Sequence, residues 1–274
     1  MADKLVSCDW VAEHGDDDNV TLVEVDVDTD AYGEGHIASA IGWNWTTQLQ
    51  DQTRRDILTR EAVEELLAVS GIGNDTHVVL YGDNNNWFAA YALWLLELYG
   101  HQEGSLMDGG RVKWLADNRP TTSDVPQPAP ASYSGQPADV TLRAQRDEVL
   151  AAVARGGSQL VDVRSPAEFS GEVIAPPGMS ETAQRGGHIP GASSIPWARA
   201  ANEDGTFKSV DELRGLYAGE GLSPDQSTIA YCRIGERSSH TWFVLKHLLG
   251  YEDVKNYDGS WTEYGSLIDV PIEK

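Results

Sequence analysis

Cysteine is scarce in this chain, which has only two, Cys8 and Cys232, among its 274 residues. Two cysteines do not make a disulfide framework, and no group of Cys and His residues has the spacing of a zinc site. The N-terminal stretch MADKLVSCDW lacks the apolar core of a signal peptide. We therefore expect a cytoplasmic protein without a metal or organic cofactor, in which Cys232 is a free thiol.

Basic residues and long apolar runs are also in short supply. The 20 lysines and arginines face 43 aspartates and glutamates, which gives a formal charge of −23. Nucleic acids and anionic membranes attract proteins with a positive surface, so we expect neither as a partner. The most apolar run, residues 87–100, is too short to span a bilayer and contains Glu97. We interpret this run as a buried helix.

What the chain does contain is a long internal repeat. Residues 76–114 match residues 227–264 without a gap over most of their length, at an offset of 150 positions. A Gly-His-Ile motif also occurs twice, at 35–37 and 187–189. The second copy alone carries the insert EVIAPPGMSETAQRG (172–186). A repeat of this length indicates a duplicated domain.

Between the copies lies a segment rich in Pro, Ser and Thr, residues 121–141, which has no apolar period and is typical of a linker. We therefore predict a first domain over residues 1–120 and a second over residues 142–274. In each half, short β-branched runs alternate with amphipathic helices, such as residues 59–71 and 146–157. This alternation predicts an α/β fold with a mostly parallel sheet flanked by helices in each domain.

The stretch TIAYCRIGER (228–237) joins a buried strand to a helix that we predict from about Ser238. Ligands of α/β sheets bind at the carboxyl ends of strands, where turn N–H groups and the helix dipole attract anions. Such surroundings lower the pKa of a thiol, so Cys232 is predicted to be an activated nucleophile. Arg233 and Arg237 are predicted to bind the anionic end of a substrate. The rest of the predicted anion nest consists of Ile234, Gly235, Glu236 and Ser238.

The first copy lacks this chemistry. At the equivalent place it has YGDNNNW (81–87), in which Gly82 stands opposite Cys232 and neither arginine is present. Without a nucleophile or an anion clamp, we expect the first domain to be catalytically silent.

Other polar residues near the motifs have structural interpretations. His36 and His188 occur in both copies, so we interpret them as architectural. Arg164 is expected to pair with a nearby carboxylate, and Asp162 to fix the geometry of its loop. Cys8 lies outside any anion nest, so it is expected to be inert.

With its motifs LVDVRSPAEF, GHIPGA, YCRIGERSSHTW and NYDGSWTEYG, the chain resembles the rhodanese family of sulfurtransferases in its tandem two-domain form. The resemblance covers essentially the whole chain and is closest to actinobacterial thiosulfate sulfurtransferases. It implies a persulfide on Cys232 and a substrate-binding arginine at Arg185, within the insert. Trp261, in DGSW, is a candidate for a wall of the cleft, although a core position is more typical of tryptophan.

Loop length and sequence separate the alternatives within this resemblance. CRIGER is Cys-x4-Arg, as implied for sulfur transfer, whereas related phosphatases have a loop one residue longer. Its Cys-Arg-x-Gly order resembles thiosulfate enzymes, whereas mercaptopyruvate enzymes resemble Cys-Gly-x-Gly. Ile234 stands where the vertebrate-like form has a lysine, which leaves open how Arg233 and Arg237 divide their roles.

The resemblance implies a ping-pong reaction in which thiosulfate loads Cys232 and cyanide or a thiol unloads it. Two alternatives stay open: 3-mercaptopyruvate as the sulfur donor, or a persulfide carrier that serves a protein partner. A phosphatase or arsenate reductase is disfavoured by the loop length. The expected partners are therefore a small sulfur donor and a thiophilic acceptor, which includes a protein acceptor.

Overall fold

The computed structural model describes residues 3–176, 178 and 181–274, and the chain forms two compact units. The first unit comprises Met1–Asp139 and Asn202–Phe207, and the second comprises Val140–Ala201 and Lys208–Lys274. Part of the predicted insert, namely Pro177, Met179 and Ser180, lies outside the described residues.

The segment predicted as a linker belongs to the first unit almost to its end. It contains no helix and only an isolated bridge at Thr122. The Ala131 N–H donates to the Ala68 carbonyl at 2.9 Å, and the Gln136 N–H donates to the Tyr99 carbonyl at 2.8 Å. These backbone hydrogen bonds fix the segment along the first unit and move the boundary from residue 120 to residue 139.

The first unit is a five-stranded sheet in the order β1-β5-β4-β2-β3, and every neighbouring pair is parallel. Its strands are β1 (Leu5–Val6), β2 (Val20–Glu24), β3 (Ile41–Gly42), β4 (His77–Tyr81) and β5 (Gly104–Met107). Its helices are α1 (Cys8–His14), α2 (Ala31–Glu34), α3 (Trp45–Gln48), α4 (Arg60–Val69), α5 (Asp83–Leu98) and α6 (Gly110–Ala116).

The second unit is a four-stranded parallel sheet in the order β7-β6-β8-β9. Its strands are β6 (Ser158–Asp162), β7 (Ser193–Ser194), β8 (Ser227–Tyr231) and β9 (Val254–Tyr257). Its helices are α7 (Arg146–Arg155), α8 (Pro166–Phe169), α9 (Val210–Gly219), α10 (Glu236–Phe243) and α11 (Ser260–Tyr264). A 3-10 turn at Trp197–Ala200 and a π-helical turn at Val244–Leu248 complete it.

These sheets confirm the predicted α/β fold with a parallel sheet in each half. The helices predicted at residues 59–71 and 146–157 are α4 and α7. The apolar run at 87–100 is largely α5, whose buried Glu97 carboxylate pairs with Lys4 at 2.8 Å. Among the described residues, no helix is both long and apolar enough to cross a membrane.

The repeat extends to individual hydrogen bonds. The Tyr81 hydroxyl accepts the Ile37 N–H at 3.0 Å, and the Tyr231 hydroxyl accepts the Ile189 N–H at 3.1 Å. Each bond ties the end of a central strand to the Gly-His-Ile motif of the same unit.

The two motif histidines confirm their architectural interpretation. The His36 ring stacks on Tyr32, with ring centres 3.9 Å apart, and the His188 ring stacks on Phe169 at 3.5 Å. In each case Nδ1 also contacts the backbone carbonyl of that aromatic residue, at 2.9 and 2.8 Å.

Each sheet buries a carboxylate at the end of a strand, and each carboxylate has an arginine partner. In the second unit Asp162 pairs with Arg164, with Oδ2 and Nη2 2.6 Å apart and both side chains fully buried. This pair confirms the predicted structural role of both residues. In the first unit Glu24 pairs with Arg111, which comes from a different part of the chain. The fold therefore keeps the buried ion pair but not the position that supplies its cation.

Breaking the Asp162–Arg164 pair should destabilise the second unit more than removing it whole. Asp162→Leu leaves a buried guanidinium without its carboxylate, which typically costs about 3–5 kcal/mol. The double variant Asp162→Leu/Arg164→Met removes both charges and should recover most of that loss. Chemical denaturation followed by circular dichroism measures both, and Asp211→Asn, in an exposed ion pair, is the control. A double variant no more stable than the single one would contradict this account.

Candidate active site

Cys232 stands directly after β8, which lies between β6 and β9 in the second sheet. The residues from Cys232 to Arg237, here called the Cys232 loop, carry the chain from the carboxyl end of β8 into α10. The helix begins at Glu236, two residues earlier than predicted, so Glu236 and Arg237 occupy its first turn. All the side chains of the predicted nest are buried, and Cys232 itself has no exposed surface.

The Cys232 loop is closed by its own backbone. Gly235 has a φ of 104°, and its N–H donates to Cys232 Sγ at 3.2 Å. A Cβ at this position would meet the Asp258 Cα at 2.9 Å. Only glycine combines this backbone conformation with this close approach. The predicted nest therefore depends on Gly235, which turns its own N–H toward the sulfur.

Residues of β9 and of the segment after it hold the other side of the loop, and sequence reasoning missed two of them, Asn256 and Ser260. The Ser260 hydroxyl accepts the Cys232 N–H at 3.1 Å, and the Trp261 N–H donates to the Cys232 carbonyl at 3.1 Å. Asn256 Nδ2 donates to the Gly235 carbonyl at 3.2 Å. The sequence signal for Asn256 and Ser260 is their place in the NYDGS motif, but the motif does not say which backbone atoms they bind.

Ser238 lies between this support and the sulfur. Its hydroxyl is 2.6 Å from Asn256 Oδ1 and 3.6 Å from Cys232 Sγ. Ile234, in the same loop, is buried at 6% exposure and carries no hydrogen-bonding side chain. The single hydroxyl proton of Ser238 can go to Asn256 Oδ1 or to the sulfur, and the shorter contact is the one to Asn256.

Both predicted clamp arginines lie in the buried site, and both already have partners. Arg237 donates two hydrogen bonds to the Glu168 carboxylate, at 2.9 and 3.0 Å. Arg233 Nη1 donates to the Glu181 carbonyl at 2.6 Å. Glu168, which also forms the capping box of α8 with Ser165, was not predicted as a site residue. Burial acts to raise the pKa of Glu168, but Arg237 and Ser165 outweigh it and lower that pKa.

Glu236 places its carboxylate beside the Cys232 sulfur. Oε2 lies 3.2 Å from Cys232 Sγ, and Oε1 lies 3.7 Å from Arg233 Nη2 and 3.6 Å from Arg237 Nε. Burial, and then the charge of Glu236, raises the pKa of the Cys232 thiol, while Arg237 and Ser238 act in the opposite direction. The expectation of a lowered thiol pKa is therefore wrong for the site without substrate, because desolvation and Glu236 outweigh the donors.

Arg185 and Trp261 lie next to one another, with Arg185 partly exposed and Trp261 buried. The Arg185 guanidinium donates to the carbonyls of Gly265 at 3.2 Å, Val270 at 3.3 Å and Leu267. Trp261 is 1% exposed, belongs to the core of the second unit and donates Nε1–H to the Arg185 carbonyl at 3.0 Å. Their contacts are those of residues that hold the C-terminal segment, and substrate contact by either stays a prediction.

The equivalent loop of the first unit has a different backbone. Gly82 stands in the place of Cys232, and Asn84, Asn85 and Asn86 all have left-handed conformations, with φ between 44° and 62°. A Cβ on Gly82 would overlap the Val25 carbonyl oxygen. Asn86, the counterpart of Glu236, donates to the Met107 carbonyl at 2.7 Å.

A metal centre has no candidate among the residues that the structure describes, since no three His, Cys, Asp or Glu residues come together as ligands. The other cysteine of the chain, Cys8, lies in the core of the first unit. Burial raises its pKa to about 11, which fits the expectation that it is inert.

Comparison with known proteins gives consistent matches. A model described as "Rhodanese-like domain" matches residues 7–117 and 145–267. A Haloferax volcanii protein named "Putative thiosulfate sulfurtransferase" is 59% identical over 277 residues, covering 99% of this chain and 96% of the relative. Actinobacterial proteins share that name.

Two further matches carry different names. "Sulfur carrier protein TtuD" of Thermus thermophilus is 52% identical over 274 residues, covering 98% of this chain and 96% of the relative. The crystal structure of SseA from Escherichia coli, described among 3-mercaptopyruvate sulfotransferases, has a TM-score of 0.81 and 26% identity. The match covers 95% of this chain and 99% of that structure.

Replacing Gly235 should collapse the geometry around the sulfur. Gly235→Ala forces a side chain into a strained conformation against the Asp258 backbone, at a cost of about 1–3 kcal/mol before any clash. We expect loss of Cys232 reactivity, measured by alkylation, together with lower stability. Gly215→Ala, in the middle of α9 with open space around the added methyl, is the control and should keep both. Unchanged reactivity in Gly235→Ala would contradict the closed-loop geometry.

The raised pKa of Cys232 predicts slow alkylation of the substrate-free protein at neutral pH. In a Cys8→Ser background, the rate should rise with pH through a midpoint above the value of a free thiol, about 8.5. The rate rises with pH because the thiolate is the reactive form. Burial and the charge of Glu236 disfavour the thiolate, so the midpoint lies above that of a free thiol. A midpoint below that of a free thiol would restore the prediction made from the sequence.

Proposed function

Because the chain belongs to the rhodanese family of sulfurtransferases, we propose that it moves a sulfane sulfur from thiosulfate, through a persulfide on Cys232, to cyanide or a thiol. The observation that carries the proposal is the Cys232 loop. In this loop the buried Cys232 Sγ accepts a hydrogen bond from the Gly235 N–H at 3.2 Å, and the same loop contains Arg233 and Arg237. The family model matches both units, and relatives more than half identical carry thiosulfate sulfurtransferase names.

In the first step the Cys232 thiolate attacks the outer sulfur of thiosulfate. A sulfur–sulfur bond forms to Cys232, the bond inside thiosulfate breaks, and sulfite leaves with the electron pair. The persulfide carries one negative charge, so charge balances. The Gly235 N–H and the Ser238 hydroxyl are placed to stabilise negative charge on sulfur.

In the second step cyanide attacks the terminal sulfur of the persulfide, thiocyanate leaves and the Cys232 thiolate returns. A thiol acceptor would form a new persulfide in the same way. Neither step needs a metal or organic cofactor, and a free Cys232 thiol suits the reducing cytoplasm, where we place the protein.

Arg233 and Arg237 are the residues we assign to the oxyanion end of the donor. Both are 5% exposed, so an ion pair with substrate would be little screened by solvent. Arg237 is held in place by two hydrogen bonds to Glu168, whereas the hydrogen bond of the Arg233 side chain within the described part of the chain goes to the Glu181 carbonyl. We therefore assign Arg233 as the arginine that turns toward a donor.

Two specific observations support other donors. The Escherichia coli SseA structure shares the fold over nearly the whole chain, which favours 3-mercaptopyruvate as a second candidate donor. The name of the Thermus thermophilus relative favours a carrier that passes sulfur to a protein partner. In both alternatives the sulfur would still be held on Cys232.

Intact mass measurement tests the proposal. Thiosulfate should add one sulfur, about 32 Da, to the wild type and to Cys8→Ser, but not to Cys232→Ser, since only Cys232 lies in an anion nest. Cyanide should then remove the added mass. The two single-cysteine variants are matched controls, because each retains one of the two buried thiols.

The donor assignment is tested in the same experiment. If thiosulfate adds no mass but 3-mercaptopyruvate does, thiosulfate is overturned as the donor and the first alternative holds. If neither small donor loads Cys232 and a protein persulfide does, the carrier interpretation replaces the enzyme interpretation.

A further inference from the structure

The carboxylate of Glu236 lies in the part of the site where a donor anion has to bind. A donor must bring its outer sulfur to Cys232 Sγ and its oxyanion to Arg233 and Arg237. Glu236 already does the equivalent, with Oε2 3.2 Å from the sulfur and Oε1 3.7 and 3.6 Å from the two guanidinium groups. Glu236 therefore has the contacts expected of a bound anion.

The charges around the sulfur are balanced before any donor arrives. The charged side chains that contact Glu236 are Arg233 and Arg237, and Arg237 also pairs with Glu168. These two cations face the two carboxylates of Glu168 and Glu236. An entering dianion thus meets no excess positive charge while Glu236 is in place.

The hold on Glu236 is weaker than the hold on Glu168. Glu168 receives two hydrogen bonds from Arg237, whereas both arginine nitrogens lie at 3.6 Å or more from Glu236 Oε1, beyond ordinary hydrogen-bond length. Glu168 is a fixed counter-ion, and Glu236 is the carboxylate that can be displaced. Its side chain is nevertheless 2% exposed, so its charge is poorly screened.

We propose that Glu236 is a built-in anion that competes with the sulfur donor for Arg233 and Arg237, so that thiosulfate, a doubly charged donor, has to displace it. This inference rests on the proposed function, since it sets which donors that site accepts. A thiosulfate dianion is repelled by Glu236 twice as strongly as a monoanion at the same distance. Thiosulfate therefore binds to the two arginines when the Glu236 carboxylate has moved away from them, and its apparent affinity includes the cost of that movement.

The first unit offers an internal reference for the substitution that tests this. Its counterpart of Glu236 is Asn86, an amide that is 1% exposed and fully accommodated by the fold. The backbone of the two places differs, since Asn86 has a φ of 62° and Glu236 begins a helix, so the test uses more than one neutral variant. Glu236→Gln removes the charge at nearly constant shape, Glu236→Ala is a second neutral variant, and Glu236→Asp keeps the charge.

The test measures binding of inorganic sulfate, a dianion that cannot transfer sulfur, by its protection of Cys232 from alkylation at constant ionic strength. Removing a poorly screened charge a few ångströms away should lower the half-protecting sulfate concentration about tenfold or more in Glu236→Gln and Glu236→Ala. Glu236→Asp should stay closer to the wild type. Glu220→Gln, which changes net charge equally in an ion pair with Arg199, should match the wild type.

Two further readouts separate this role from a structural one or from a proton acceptor. The alkylation midpoint of Glu236→Gln should move to lower pH, because the nearby negative charge is gone. The KM for thiosulfate should fall by a larger factor than the KM for 3-mercaptopyruvate, while kcat changes less than either. A midpoint that moves to higher pH, with slower loading, would assign Glu236 as a proton acceptor and overturn the proposal.

Failure of the inference and failure of the proposed function give different results. Unchanged sulfate protection in both neutral variants overturns the inference, even if thiosulfate still adds mass to Cys232. Lack of any added mass in wild type and variants overturns thiosulfate as the donor, even if sulfate protection shifts as expected.

Discussion

The left-handed conformation of Gly235 is the constraint on which the site depends. With φ at 104°, the chain folds back far enough for the Gly235 N–H to reach Cys232 Sγ and for α10 to begin at the next residue. Asp258 packs against the glycine Cα, so β9 and the residues after it are part of the same constraint. The sulfur is therefore positioned by the Cys232 loop together with β9 and the residues after it, at the carboxyl end of a parallel sheet.

Burial of charge is the second theme of the site. Arg164 with Asp162 and Arg237 with Glu168 are paired almost out of contact with solvent. Such pairs add little to stability compared with apolar packing, but breaking one is costly, so they fix geometry. In the Cys232 loop this rigidity comes with a raised thiol pKa, because the same burial that fixes the arginines also desolvates the sulfur. Reactivity then depends on what the entering substrate does to the local charge.

The sequence was sufficient to predict the fold and the place of Cys232 in it, but not the polar and charged side chains that surround the sulfur. The repeat and the alternation of strands and helices predict two parallel sheets, because both patterns reflect burial along the chain. The strand–turn–helix order likewise puts Cys232 at the carboxyl end of a strand. The partners of Arg237 and Arg185 depend on which way long side chains turn, which periodicity does not encode. Glu168 and Asn256 were missed for that reason, and the raised pKa of Cys232 with them.

The backbone of the first unit rules out a simple exchange of Gly82 for cysteine. Three consecutive asparagines in left-handed conformation carry the chain past Gly82, and the Val25 carbonyl leaves no room for a side chain there. A Gly82→Cys substitution would bring its Cβ against the peptide backbone of Val25. At this position the two halves are no longer interchangeable copies, because the backbone differs as well as the side chain.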